Sequence, residues 1–170
     1  LCGGMLGDCL PAGGPAGLAG ADPPGNIRGN EQLRILRNPA RTSPCGLVLG
    51  MFDGVHRGHQ QLLMTGNALA EAEGIPLRVC TFSPHPLAVL CPDKAPKMLT
   101  TLPERARFML GYGVDSLCVF SFTRAMADEA PEDFVRRTVR TFQLRHAVVV
   151  FNNPIGPGGP GAGVLLTASG

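Results

Sequence analysis

Between residues 45 and 151, short apolar runs alternate with longer stretches in which apolar positions recur every three or four residues. Leu47-Val48-Leu49-Gly50-Met51-Phe52 is an unbroken apolar run of strand length, which predicts a strand buried on both faces. Gly58 to Glu73 follows with Leu62, Leu63, Leu69 and Ala70 on one side, predicting an amphipathic helix closed by Gly74. A second strand is predicted over Leu77 to Phe82, and a second helix over Leu102 to Tyr112, stopped by Gly111 and Gly113. The third strand is Leu117 to Phe120. Pro131-Glu132-Asp133 then opens a helix in the preferred way, with proline in the first turn and acids at the positive end of the helix dipole. That helix continues through Phe134, Val135, Val139 and Phe142, and His146 to Phe151 is the fourth strand. Strand and helix in strict alternation predict an α/β fold, a parallel sheet with helices on both faces and right-handed crossovers. Ligands of such sheets bind at the carboxyl ends of the strands.

Composition narrows this picture. The chain has 170 residues, enough for one such domain with a real core. A net charge of +2 with 16% charged residues provides no basic field, so neither nucleic acid nor a membrane surface is an expected partner. The 23 Gly and 16 Pro are concentrated at the two ends. Residues 1–26 hold eight Gly and four Pro and no periodicity, so a disordered head is expected there, then a domain over 27–163 and a truncated tail over 164–170. The chain opens on Leu1, and nothing ionises after Arg145 except His146, as in a piece of a longer reading frame. Six cysteines form no CxxC pair and do not interleave with the four histidines at zinc spacing, so no metal-ligating set is expected, and the setting reads as reducing and cytoplasmic. No run of 18 apolar residues is present to span a membrane, and the head lacks the basic start of a signal peptide.

The candidate chemistry lies in Gly50-Met51-Phe52-Asp53-Gly54-Val55-His56-Arg57-Gly58-His59, where the first strand hands over to the first helix. A helix start offers unpaired backbone N–H groups and a partial positive charge, and glycines let a phosphate approach the backbone. His56 and His59 are three apart, so in a helical first turn both imidazoles project to one side. Such a pair can donate hydrogen bonds to a phosphate whose charge grows in a transition state. One histidine near a turn is usually a satisfied structural residue. Two flanking a glycine directly after a strand point to chemistry.

GMFDGVHRGH resembles the HxGH-bearing signature of the FMN adenylyltransferase domain of bacterial bifunctional riboflavin kinase/FAD synthetases, within the nucleotidylyltransferase superfamily. HxGH alone marks only the superfamily. Thr81-Phe82-Ser83-Pro84-His85-Pro86 matches the family's TFxPHP, and Leu99-Thr100 with Glu104, Gly113-Val114-Asp115, and Phe122-Thr123 with Pro131-Glu132-Asp133-Phe134 follow its order, so the similarity covers about residues 31–163. Phe122, Phe134 and the GVD turn also read as core and turn residues. The resemblance implies a Rossmann-like nucleotidylyltransferase fold and transfer of AMP from ATP, with Mg²⁺, to FMN, giving FAD and pyrophosphate. It further implies that His56 and His59 are catalytic and that Gly50, Phe52, Asp53, Gly54, Gly58 and Asn152 bind nucleotide. Pro84, His85 and Pro86 would shape the flavin side, and a C-terminal riboflavin kinase domain would accompany the domain in a full-length parent.

The pattern departs from the family after the fourth strand. Where the family has a segment resembling GxNYRFGxxxxGD, Asn152 and Gly156 remain, but Asn153, Pro154, Ile155 and Ala162 replace the aromatic, the Arg, the Phe and the Asp. Proline for arginine removes five donors and a charge. A downstream Ser/Thr and Arg motif that clamps the triphosphate in the family has no match before Gly170. Two alternatives therefore stand beside FMN adenylyltransfer: a non-catalytic nucleotide- or flavin-binding fragment, and an HxGH enzyme using a nicotinate, pantetheine or polyol phosphate acceptor.

Overall fold

The structure, a computed structural model, describes residues 33–150 and 163–167; the predicted head over 1–26 and Asn152 lie outside the described residues. Strands β1 (Arg34–Arg37), β2 (Cys45–Leu49), β3 (Leu77–Ser83), β4 (Ser116–Ser121), β5 (Leu144–Val150) and β6 (Gly163–Thr167) form one sheet in the order β1-β4-β3-β2-β5-β6. The first five run parallel and β6 closes the edge antiparallel to β5. Helices α1 (Arg57–Glu73), α2 (Pro86–Leu90), α3 (Leu102–Leu110), α4 (Arg124–Ala127) and α5 (Pro131–Phe142) connect them. This is the α/β architecture that the alternation predicts.

Each long helix carries its own start and stop. α1 begins where the His56 side chain accepts from the His59 N–H and ends at Gly74, whose φ of 64° directs its N–H to the Ala70 and Glu71 carbonyls. α3 begins with a reciprocal capping box between Thr101 and Glu104. α5 opens on Pro131, with Glu132 and Asp133 in the first turn. The apolar stripes then divide between the two faces of the sheet. Leu63, Ala70, Ala106 and Met109 from α1 and α3 pack on Val48, Val79, Leu117 and Val119, while Phe142 of α5 packs with Leu47, Cys80, Cys118 and Phe120 on the other face. Alternating strand residues supply the two faces because the pleat has period two. Cys80 and Cys118 are register neighbours, and burial pushes both thiols up, Cys118 to about 11, so they serve as small apolar side chains. Phe122 and Phe134 are half-buried around Phe82, and Asp115 accepts from the Leu77 N–H at 2.8 Å, as their core and turn readings require.

The differences lie at the edges. β1, a short edge strand reading RILR and largely exposed, offers no apolar run, and β6 (GVLLT) extends the sheet across the boundary expected between the domain and the tail at 163/164. The first predicted strand ends at Leu49 rather than Phe52, because Phe52 takes a left-handed conformation.

Gly46 makes a local test of the packing. A β-carbon there would stand 2.5 Å from Nε2 of His146, a buried ring whose Nδ1 lies 3.4 Å from Oε1 of Glu73. Gly46→Ala is expected to destabilise the fold by about 1–3 kcal/mol in urea titration, the usual range for overpacking. A change within about 0.5 kcal/mol would mean that His146 swings aside freely.

Candidate active site

The chain leaves β2 at Leu49, crosses the carboxyl end of the sheet, and enters α1 at Arg57. In between, Phe52, Gly54 and Val55 all have positive φ, 53°, 72° and 41°. Glycine adopts this conformation without cost, but a left-handed phenylalanine, and still more a β-branched valine, is strained. Both side chains are buried, Phe52 at 0% and Val55 at 1% exposure, so core burial offsets the strain. The loop is thus pinned from beneath by two apolar anchors.

Polar contacts fix the rest. The Asp53 carboxylate accepts from the Leu99 N–H at 2.8 Å, the Thr100 N–H at 2.9 Å and the Thr100 hydroxyl at 2.7 Å. Burial raises its pKa, but these bonds and Arg105 outweigh it and hold the carboxyl below the ordinary value. The Gly54 N–H is taken up by the Thr100 hydroxyl at 3.1 Å. Asp53 and Gly54 therefore clip the loop to the residues preceding α3. Gln60, itself buried, donates to the Val55 carbonyl at 3.0 Å and secures the far end.

On this base stand the two histidines. Their rings are stacked with centroids 3.7 Å apart, and His59 also leans on Phe52 at 4.8 Å. His56 Nδ1 accepts from the His59 N–H at 3.4 Å, which assigns its proton to Nε2. His59 is 5% exposed and its Nδ1 is buried without a partner. Unsatisfied acceptors are tolerated better than orphaned donors, so its proton also belongs on Nε2. Gly58 has a steric reason: a β-carbon there would lie 3.2 Å from Cε1 of His56, so the glycine makes room for that ring. Two preorganised imidazole donors at a helix start form a surface suited to an anion.

Burial first, and then the neighbouring His56, lower the His59 pKa from 6.5 to about 4, with Asp53 opposing. Between those two values the unfolded chain binds a proton that the folded chain does not, so stability falls as pH is lowered through that window. The full shift corresponds to about 3 kcal/mol. Urea titrations of the wild type between about pH 6.5 and pH 4 should show a loss approaching that size which His59→Asn lacks, whereas parallel pH dependences would show that His59 protonates as readily folded as unfolded. Carboxyls held low, such as Asp53, act at the acid end of this range and below, and equally in both proteins.

Pro84, His85 and Pro86 follow β3, the strand beside β2, so both loops open at the same end of the sheet. The Ser83–Pro84 bond is cis, and His85 caps α2 by accepting from the Leu87 N–H at 3.1 Å. Thr81 of β3 donates to the Met51 carbonyl at 3.1 Å and joins the two loops. The structure thus gathers His56, His59, Gly50, Phe52, Asp53, Gly54 and Gly58 into one loop, with residues 84–86 alongside. Thr81 and Thr100 stand in the TFxPHP and Leu99-Thr100 blocks while Gln60 and Arg105 carry no motif, and the support that all four give this loop is unrecognisable without the fold. A groove of about 760 Å³ between Arg41 and α5 contains none of these residues.

A family model for FAD synthetase matches residues 38–170. A bifunctional riboflavin kinase/FMN adenylyltransferase of Bacillus subtilis is 37% identical over 116 residues, covering 68% of this chain and 37% of that protein. The Escherichia coli K12 protein of the same description is 34% identical over 145 residues, 85% of this chain and 45% of that one. An FAD synthetase of Listeria monocytogenes is 39% identical over 104 residues, 61% of this chain and 42% of that one. The chain thus spans less than half the length of these relatives. A crystal structure described as that of a macrolide-efflux protein from Streptococcus pneumoniae aligns with a TM-score of 0.62 and 24% identity over 73% of this chain and 44% of that one, a likeness of fold alone. With its family match over 38–170, the chain belongs to the FAD synthetase family.

Proposed function

We propose that this chain carries out FMN adenylyltransfer, joining FMN to the AMP part of ATP and giving FAD and pyrophosphate. The observation that carries this reading is the stacked His56–His59 pair at the start of α1, beside the TFxPHP loop, in a member of a family whose named relatives are FMN adenylyltransferases. A phosphate oxygen of FMN attacks the α-phosphorus of ATP, the bond to the β-phosphate oxygen breaks, and pyrophosphate leaves. The protein's task is positioning and charge stabilisation rather than covalent catalysis.

On this reading His56 and His59 donate from Nε2 to the phosphates as charge develops. Gly50, Phe52, Asp53, Gly54 and Gly58 form the nucleotide cradle, with Asp53 shaping it through Leu99 and Thr100 rather than meeting the nucleotide with its carboxylate. Pro84, His85 and Pro86 border the flavin, and Asn152, outside the described residues, is assigned a contact with substrate. Mg²⁺ brought by ATP would supply neutralisation of the phosphate charge there. Among the described residues no three His, Cys, Asp or Glu side chains converge as a metal cage. The relatives' bifunctional names support a riboflavin kinase domain as the partner in a longer parent. The partners are small molecules, with neither nucleic acid nor membrane expected; among the described residues no helix is long and apolar enough to cross a membrane. The free cysteines Cys45, Cys80, Cys91 and Cys118 support a reducing, cytoplasmic setting.

A second reading, binding without turnover, is favoured by Pro154 standing where the family's NYRFG segment has arginine. An acceptor screen separates the readings. Pyrophosphate release from Mg·ATP should require FMN and should not occur with nicotinate mononucleotide, phosphopantetheine or glycerol phosphate. Release with one of those instead would move the chain to another nucleotidylyltransferase class, and FMN and ATP binding without release would select the second reading.

A further inference from the structure

Arg105 is 4% exposed, an unusual fate for a guanidinium. It rises from the first half of α3, and its Nη1 donates to the Met51 carbonyl at 3.0 Å, with the Thr81 hydroxyl oxygen at 3.4 Å. Its Nε is buried with no partner. A core could hold an apolar residue here without leaving a polar atom unpaired, so the arginine has to be explained by what it holds.

What it holds is one peptide of the phosphate-facing loop. The Met51 carbonyl is drawn inward by two donors, Arg105 and Thr81. The carbonyl end of that peptide is thereby fixed against β3 and α3. The same tether fixes the chain immediately before the left-handed Phe52, and residues 99–100 grip Asp53 directly after it. α3 and its entry thus hold the loop on both sides of Phe52.

We infer that Arg105 is a positioning residue for nucleotide binding, acting through the Met51 carbonyl to hold the loop between β2 and α1 in the course that presents His56 and His59 to the phosphates of ATP. This rests on the proposed adenylyltransfer and adds to it a residue that never touches substrate. Its side chain supplies a hydrogen bond from a charged donor, which lysine can partly replace and methionine cannot.

The test compares Arg105→Met, Arg105→Lys and Thr81→Val with the wild-type chain, each checked for native circular dichroism. Arg105→Met should raise the KM for ATP about tenfold or more with a smaller change in kcat and in the KM for FMN, and Arg105→Lys should recover most of that loss. Thr81→Val, which removes the other donor without burying an unpaired charge, should raise the KM for ATP in the same direction; it serves as the test if Arg105→Met fails to fold. Combined with Arg105→Lys it should act non-additively, because both act on one carbonyl. Folded variants with wild-type KM for ATP would overturn the inference and leave the adenylyltransfer reading standing, as would equal losses in ATP and FMN kinetics. A wild-type chain that neither binds ATP nor forms FAD would instead remove the reading on which it rests.

Discussion

Replacing His59 by alanine is expected to lower the rate of FAD formation about a hundredfold, equivalent to about 3 kcal/mol of transition-state stabilisation, the usual loss for one preorganised donor. The size follows from how firmly the ring is held. It is 5% exposed, stacked on His56 at 3.7 Å and supported by Phe52 at 4.8 Å, so little reorganisation is needed when charge develops on the phosphates. With a pKa of about 4 the ring is neutral at pH 7, and it donates a hydrogen bond without titrating over the neutral range. Its loss should therefore appear in kcat more than in the KM for ATP, because the interaction strengthens as charge grows. A folded His59→Ala protein with undiminished turnover would remove His59 from the mechanism.

The second large effect is on stability. Phe52→Ala should cost about 3–5 kcal/mol in urea unfolding, the range for deleting a buried aromatic side chain. Phe52 is fully buried and left-handed, so the substitution opens a cavity beneath the loop and removes the burial that offsets a strained backbone. It also takes away the surface on which His59 leans. Phe52→Leu, which keeps most of the apolar volume, should lose considerably less. A cost below about 1 kcal/mol for Phe52→Ala would show that the loop is not anchored through this ring.

These two residues also show what could be read from the chain alone and what could not. Strands β2 to β5 and helices α1, α3 and α5 were legible because their burial is continuous or has the helical period, and start or stop residues stand beside them in sequence, as with Pro131 or Gly74. β1 was not legible, since an exposed four-residue edge strand reading RILR has no apolar run to reveal it. The strand-to-helix handover on which the candidate site is placed was legible too, because it is local. The orientation of its parts was not. Phe52 turns its ring into the core, Asp53 turns its carboxylate to Leu99 and Thr100, and Gly58 makes room for His56, all consequences of backbone angles that no residue type declares. The loop's supports are further removed still: Thr81 and Arg105 reach Met51 from 30 and 54 residues away, a proximity that only the assembled sheet creates.

The central claim is adenylyl transfer to FMN, and the most direct measurement is to incubate the 170-residue chain with FMN, ATP and Mg²⁺ and follow FAD by chromatography, alongside His59→Ala. The account predicts FAD and pyrophosphate in equal amounts from the wild-type chain and about a hundredfold less from the variant. Wild-type chain that binds both substrates and forms no FAD, or forms it as fast without His59, would contradict it.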